Sequence, residues 1–154
     1  MAMELITLTP SITVDTAAYA AGDVIFTDYV DFGVVGTNAG NTLRLSSIAA
    51  CEDGGQAPAF SILFFSQTPG QTADANAAVV WGASDDQYFE GMVRVVGGDW
   101  YTVGSHSFMS LSDIGLDMRI SGSNLYMVAV ADAAYDAVAG NDLVLKFRFE
   151  VNRA

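Results

Sequence analysis

Leu143-Val144-Leu145-Lys146-Phe147-Arg148-Phe149-Glu150-Val151 is the stretch of sequence that decides the fold. Its odd-numbered residues are all apolar, whereas Lys146, Arg148 and Glu150 lie between them. Successive side chains of a β-strand point to opposite faces of the sheet, so this alternation predicts a half-buried strand. The preceding Gly140-Asn141-Asp142 has the residue types of a tight turn and predicts where the strand begins.

Similar apolar runs recur along the chain, and segments rich in Gly, Asn and Asp separate them. In the run 88–95, we expect Phe89, Val93 and Val95 on one face. The runs 60–65 and 125–130 are apolar on both faces, as expected for strands in the middle of a sandwich. The other predicted strands are 12–14, 24–30, 43–51 and 114–121, and the predicted turns are 21–23, 36–41, 53–55, 69–70, 97–99 and 122–124. About eight to ten short strands predict an all-β fold, a jelly-roll-like two-sheet β-sandwich.

Helical signal is weak in this sequence. The best candidate is 73–80, with Thr72 as a possible cap and Asp74 in the first turn. We therefore expect at most one short helix. A length of 154 residues fits one domain over residues 1–154, large enough to bury a hydrophobic core.

The composition is apolar for a protein of this size. Charged residues make up 16% of the chain, against about 25% in ordinary soluble domains. The mean hydropathy of +0.33 points the same way. A lone soluble subunit would normally carry more surface charge, so we expect a partner or further copies of the chain to cover part of its apolar surface.

The charge balance excludes several classes of partner. The net charge is −12, with 6 Lys plus Arg against 18 Asp plus Glu. Phosphate backbones and anionic membranes repel such a surface and no basic run is present, so neither nucleic acid nor a membrane is expected. The start Met1-Ala2-Met3-Glu4 lacks the features of a signal peptide, and no apolar stretch approaches the roughly 20 residues that span a bilayer. We expect a soluble protein that is assembled in the cytoplasm.

Few residues are available for catalysis or zinc binding. His106 is the sole histidine and Cys51 the sole cysteine, so a structural zinc site is not expected. Ser-His-Asp catalysis would have to use His106, and no Gly-x-Ser-x-Gly motif is present. A Cys51–His106 pair stays open, because such partners meet in space and not in sequence. Ile48, Ala49 and Ala50 precede Cys51, which predicts a buried, inert thiol.

The acidic residues offer two alternatives. Calcium prefers oxygen ligands, and closely spaced Asp residues would be its ligands here. The candidate pairs are Asp28 with Asp31, Asp85 with Asp86, and Asp113 with Asp117. Glu90 and Glu150 lie on the polar sides of strands, where the carboxylate pair of a glycosidase could stand. We interpret both sets as solvated carboxylates. No catalytic, cofactor-binding or metal-binding residue is therefore assigned, and the chain is not expected to be an enzyme.

The aromatic residues allow a binding function as an alternative. Large rigid rings can stack on sugars or fill pockets on a protein partner, although core packing explains most aromatic residues of a sandwich. The candidate stacking residues are Trp81, Trp100 and Tyr101. They would suit a carbohydrate-binding jelly-roll module for host or cell-surface recognition.

A resemblance is carried by Val14-Asp15-Thr16, Tyr19 and Gly22-Asp23-Val24 near the N-terminus. This segment resembles the V-D-T-x-x-Y-x-x-G-D-V stretch that opens β-sandwich head-associated subunits of tailed phages. Looser similarity continues over 43–48, 60–69 and 126–145. The chemistry of the segment predicts a turn that Asp15 and Thr16 cap, that Tyr19 anchors by burying its ring, and that Gly22-Asp23 reverses.

The resemblance implies a virion structural protein that decorates and stabilises the outside of a tailed-phage capsid. The implied partners are further copies of this chain, as a homotrimer, and the major capsid protein. No cofactor is implied. A charge of −12 suits the capsid exterior better than a surface that faces DNA.

Residues 1–16 are predicted to act as a docking arm. Their apolar side chains could add to the sheet edge of a neighbouring subunit. The candidate interface residues are Leu5, Ile6, Leu8, Ile12, Val14 and Tyr19.

Overall fold

The computed structural model describes residues 2–34, 42–120, 122, 124–137 and 143–153. The turns predicted at 36–41 and 140–142 lie outside these residues. Residue 123 of the turn predicted at 122–124, and residue 121 directly before that turn, also lie outside them. In the described part the chain forms twelve strands, one single-turn α-helix and one 3₁₀ turn. In chain order these are β1 (Ala2–Leu8), β2 (Ala18–Tyr19), β3 (Val30–Val34), β4 (Thr42–Glu52), β5 (Phe60–Phe65), α1 (Asp85–Tyr88), β6 (Phe89–Val95), the 3₁₀ turn (Gly97–Asp99), β7 (Trp100–Val103), β8 (His106–Leu111), β9 (Leu116–Arg119), β10 (Asn124–Ala131), β11 (Tyr135–Asp136) and β12 (Leu143–Arg153).

The first sheet has the order β1-β12-β4-β8-β7, and all its pairings are antiparallel. The first half of β4 pairs with β9 and the second half with β8, so one long strand holds two partners on the same side. The strand predicted from 143–151 is confirmed as β12. Its odd-numbered apolar side chains are all buried, while Lys146 and Arg148 are exposed.

The second sheet has the order β3-β10-β5-β6 and packs its inner face against the first sheet. Its central strands β5 and β10 are the two runs predicted to be apolar on both faces. Their outer face is covered by a layer of irregular chain, in which Val24 and Ala73 pack on Phe65 and Val128. This layer explains why both faces of these strands are apolar.

Four phenylalanine rings form the centre of the core between the sheets. Phe32 of β3 lies edge-on to Phe147 and Phe149 of β12, with ring centroids 5.0 and 5.8 Å apart. Phe64 of β5 meets Phe147 at 6.1 Å, also edge-on. Such edge-to-face pairs add to the apolar burial that holds two sheets together. The predicted all-β two-sheet sandwich is confirmed, with β2 and β11 as a separate two-stranded ribbon.

The helix predicted at 73–80 is wrong. Gln71, which is 1% exposed, accepts a hydrogen bond from the Ala73 amide at 2.7 Å and donates one to the Ala73 carbonyl at 3.2 Å. Asn76 adopts φ +63° and its amide donates to the carbonyl of Val24 at 2.9 Å. Hydrogen bonds to Gln71 and to Val24 in the same loop layer therefore replace the hydrogen bonds of a helix. The helix that does form is the four-residue α1.

The face predicted for Phe89 is also wrong. The pairing of β6 with β5 shifts register between Phe64 and Phe65, so that Phe65 lies opposite Phe89 and Phe64 opposite Gly91. This β-bulge turns Phe89 to the outer face of the second sheet, whereas Val93 packs on the core. A Cβ on Gly91, at φ +152°, would lie 2.7 Å from Leu116 Cδ1. The close approach of β9 explains the glycine at the bulge.

Candidate docking surfaces

The N-terminal turn that carries the phage resemblance is held by its own side chains. Asp15 Oδ1 accepts from the Ala17 amide at 2.7 Å, and Asp23 Oδ2 accepts from the Ala20 amide at 2.7 Å. The Tyr19 hydroxyl accepts from the Asp15 amide and donates to the Ile25 carbonyl. The predicted turn is confirmed for the Asp15 cap and the buried tyrosine anchor, whereas the cap predicted for Thr16 is not seen among the described residues.

Tyr19 is part of a buried polar chain inside the domain. Its ring stacks on Tyr135 with centroids 5.6 Å apart, where β2 pairs with β11. The Tyr135 hydroxyl in turn donates to Glu52, a fully buried carboxylate that also accepts from the Gln56 amide. Tyr19 therefore contacts the interior of its own subunit.

We expect Tyr19→Phe to lower the free energy of unfolding by about 1–2 kcal/mol, because the Ile25 carbonyl loses its donor and the Asp15 amide its acceptor. Burial raises the pKa of Tyr19 above its ordinary value of 10.0, so the native state holds the phenolic proton more tightly than the unfolded chain. The contribution of the protonated Tyr19 to the free energy of unfolding is complete below pH 10.0, the ordinary pKa of the unfolded chain. It is lost as the pH rises above that value towards the higher pKa of the native state. Urea unfolding between about pH 8 and about pH 11 should show a smaller alkaline loss for Tyr19→Phe than for the native chain. Equal pH profiles would contradict this role.

The predicted docking arm is mostly built into the domain. Residues 2–8 form β1, an edge strand that pairs with β12 of the same chain. Val14 is buried like Tyr19, and the other inward-facing candidates are half-buried against the core. These half-buried residues are Ile6, Leu8 and Ile12. Leu5 alone of the six candidates is well exposed, at 59%.

The three candidate stacking aromatics do not form one surface. Trp100 is 9% exposed and its indole N–H donates to the Pro58 carbonyl at 2.9 Å, so it is a core residue. Tyr101, 73% exposed, projects from β7 on the outer face of the first sheet. Trp81, 43% exposed, lies on the outer face of the second sheet beside Phe65. Two separate surfaces therefore need separate consideration.

The Trp81 groove is the apolar depression next to that tryptophan, with a volume of about 340 Å³. It is lined by Leu63, Phe65, Trp81, Gly82, Ala83, Asp85, Asp86 and Phe89. The bulge that turns Phe89 outward supplies one wall, and the edge strand β6 borders it. Met92 and Val80 extend the exposed apolar surface around it.

A buried carboxylate holds the loops that form this groove. Asp85, 6% exposed, accepts from the Gly70 amide through Oδ1 and from the Gly82 amide through Oδ2, each at 2.7 Å. The two glycines lie back to back, since a Cβ on Gly70 would stand 2.7 Å from the Gly82 Cα. Both oxygens of Asp85 are thus used in bracing the backbone. Of the two carboxylates considered as a calcium-binding pair, Asp85 braces the backbone and Asp86 is exposed.

A row of side chains crosses the outer face of the first sheet. Tyr101 lies opposite Phe108, Phe108 opposite Cys51, and Cys51 opposite Val144, on four neighbouring strands. Phe108 and Val144 are exposed by 47% and 42%, and Cys51 is half-buried. We call this the aromatic row. In the described part of the chain, no segment packs over it.

Cys51 is not the buried thiol that its apolar neighbours predicted. The alternation along β4 places Glu52 inside and Cys51 outside. Burial, followed by the nearby charges of Asp53 and Glu52, raises the pKa of Cys51, so the thiol stays protonated at neutral pH. His106 Nε2 lies 3.1 Å from Asp53 Oδ1, and Cys51 Sγ lies 3.9 Å from the same oxygen. Asp53 is therefore the shared neighbour of the two residues considered as a catalytic pair.

The remaining acidic candidates are dispersed. Glu90, on β6, accepts from the Arg119 amide at 3.0 Å, whereas Glu150 lies on β12 in the other sheet. Among the described residues, no group of three or more His, Cys, Asp or Glu side chains is arranged to hold a metal ion. The helices of that same part are too short and too polar to cross a membrane.

No family model matches this sequence, and no curated protein matches it. Several solved structures are similar in shape. A latent aurone synthase (polyphenol oxidase) is 12% identical, with a TM-score of 0.35 over 94% of this chain and 28% of its own. The K3 adhesin domain of Lys-gingipain from Porphyromonas gingivalis W83 is 8% identical, with a TM-score of 0.31 over 80% of this chain and 62% of its own. A chain in the structure of deformed wing virus carrying the GFP gene is 9% identical, with a TM-score of 0.33 over 96% of this chain and 74% of its own. With similarity this low, function has to be inferred from the chain's own surfaces.

Proposed function

We propose that this chain is a virion structural protein that decorates and stabilises the outside of a tailed-phage capsid. It acts through protein–protein contacts and catalyses no reaction. The observation that carries the proposal is a pair of exposed apolar surfaces, the aromatic row and the Trp81 groove, on opposite outer faces of one sandwich. Contiguous apolar surface that a subunit leaves exposed is typical of protein interaction sites.

The energetics favour docking as the role of these surfaces. Each 100 Å² of apolar area removed from water contributes about 2.5 kcal/mol before the cost of association. Tyr101 and Phe108, adjacent on the first sheet, are the types of side chain that dominate interface energies. On a shell with many equivalent sites, a modest contact energy is repeated and holds the shell subunits together.

The phage assignment itself rests on the N-terminal resemblance. The structure of that segment, a self-bonded turn, suits a subunit that stays rigid while its outer faces bind partners. The net charge of −12 favours the capsid exterior over the lumen. The partners that the resemblance implies are further copies of the chain, as a homotrimer, and the major capsid protein.

Purified virions from the source culture test this proposal. We expect mass spectrometry to detect peptides of this chain in a fixed ratio to the major capsid protein, and the recombinant chain to co-sediment with isolated capsids. Phe108→Ala should reduce that co-sedimentation, because it removes an exposed aromatic residue from the row. An exposed residue of the β2–β11 ribbon provides the control, since Asp136→Ala should bind like the native chain. Absence from virions together with no sedimentation would refute the proposal.

A carbohydrate-binding module is the second candidate, and the exposed Trp81 in an apolar groove favours it. Sugar stacking on that ring should quench its fluorescence. We expect cell-surface oligosaccharides to leave the fluorescence unchanged if the groove binds protein. Quenching that is abolished in Trp81→Phe and retained in Trp100→Phe would instead support the carbohydrate function.

A further inference from the structure

We propose that the outer face of the first sheet of one copy docks on the Trp81 groove and its acidic surroundings in a second copy. This inference rests on the proposed function, since it names the surfaces through which the copies contact one another. It commits to one partner, another molecule of this chain, joined head to tail.

Charge is divided unevenly between the two faces. Four of the six basic residues are exposed on the outer face of the first sheet, on β4, β9 and β12. They are Arg44, Arg119, Lys146 and Arg148. The acidic residues that the strands place on this face are Asp117 and Glu150, and Asp53 and Asp113 lie in the loops that follow β4 and β8. Basic side chains therefore outnumber acidic ones on the strands of this face, although the whole chain carries a net charge of −12.

The face around the groove has the opposite character. No Lys or Arg occurs before Arg44 or between Arg44 and Arg94, and these two stretches include the whole loop layer over the second sheet. Asp28, Asp74 and Asp86 are exposed in that layer, and Asp86 lines the groove itself. The Asp28 amide donates to the Ala73 carbonyl, which brings Asp28 close to Asp74.

The apolar parts of the two faces also suit each other. Tyr101 is the most exposed large apolar side chain of the described residues and stands at the edge strand β7. The groove, at about 340 Å³, falls within the size range of pockets that bind a ring-sized group. An aromatic anchor in an apolar pocket, with complementary charges around it, is the usual arrangement of an interface core and rim.

The geometry makes this contact heterologous. The aromatic row and the groove are on opposite sides of the sandwich, so each copy offers one face to one neighbour and the other face to the next. Two acidic faces would repel each other, and opposite charges steer the unlike faces together. On a capsid lattice, each copy would then hold two neighbours. Because the two faces lie on opposite sides of the sandwich, such a series of copies does not close at three chains, so the mass keeps increasing. The inference therefore replaces the homotrimer that the N-terminal resemblance implies with an open head-to-tail series.

Charge reversal on each face tests the contact. The face variant is Lys146→Glu with Arg148→Glu, and the layer variant is Asp74→Lys with Asp86→Lys. Asp136→Lys, on the β2–β11 ribbon, is the charge control. Sedimentation velocity from micromolar to millimolar concentration at low salt should show the native chain associating, with a mass that keeps increasing. Each double variant alone should lose roughly tenfold or more in association constant, and the control should not. Added salt should weaken the native association.

Mixing the two variants is the decisive measurement. The intact basic face of the layer variant fits the intact acidic face of the face variant, so an equimolar mixture should associate although neither variant does so alone. If only the face variant loses association, the first sheet pairs with its own copy in a second molecule, and the inference is overturned. A native chain that stays monomeric would also overturn it, as would a mixture that does not associate.

Phe108→Ala provides a second test if a charge variant fails to fold, which circular dichroism would detect. It removes apolar contact without changing charge, and we expect it to weaken association as well. The proposed function is tested separately by virion composition. A monomeric chain that is found in virions would refute the head-to-tail contact and leave the capsid role intact.

Discussion

Asp85→Ala should lower the free energy of unfolding by about 2–4 kcal/mol. The carboxylate is buried and accepts from two backbone amides, those of Gly70 and Gly82. Without it both amides lose their acceptor in a partly buried site, and each such loss costs about 1–3 kcal/mol or less. No side chain can fill the space between the glycines, because their backbones are in contact.

The adjacent Asp86 supplies the matched control. Asp86 has the same charge and lies in the same short helix, but its side chain is exposed. Asp86→Ala should therefore change the free energy of unfolding by about 0.5 kcal/mol or less. Urea unfolding followed by circular dichroism measures both variants. In a Trp100→Phe background, Trp81 reports on the groove, and its emission should shift in Asp85→Ala as the loop from Gly82 loosens. If the two alanine variants unfold alike, the clamp does not stabilise the groove.

Phe147→Ala should cost about 3–5 kcal/mol through loss of buried area and the cavity left behind. Its ring is fully buried and meets Phe32, Phe64 and Phe149 at the centre of the sandwich. A domain of this size is stable by only about 5–15 kcal/mol, so this single change removes a large share of that stability. Thermal unfolding should show a markedly lower midpoint.

Phe108→Ala is the comparison that separates folding from docking. The same residue type is removed, but Phe108 is 47% exposed on the outer face of the first sheet. We expect a loss of stability of about 1 kcal/mol or less, together with the weakened association and capsid binding described above. Equal destabilisation by the two variants would show that the aromatic row belongs to the folding core and is not a docking surface.

The Asp85 clamp and the aromatic row leave different signs in the sequence. Asp85-Asp86 stands out as an acidic pair, but only the positions of Gly70 and Gly82, 15 and 3 residues before Asp85, explain why one of the two is buried. Tyr101 and Phe108 read as ordinary strand residues. They lie next to Cys51 and Val144 only because four strands pair side by side.

The sequence alone determined the fold class and the side of β12 that faces the core. Alternation with period two is a local property, and in β12 it predicted every buried residue from Leu143 to Val151 correctly. The N-terminal turn could be predicted for the same reason, because Asp15, Tyr19 and Asp23 bond to backbone groups within a few residues.

Tertiary structure alone decided where that local pattern is interrupted and which surfaces result. The bulge at Gly91 reverses the side of Phe89, and hydrogen bonds between 76–77 and Val24 help to replace a helix at 73–80. Four basic residues meet on one face because β4, β9 and β12, far apart along the chain, pair side by side. Such contacts depend on backbone hydrogen bonds and packing between distant segments, which no periodicity within a single segment records.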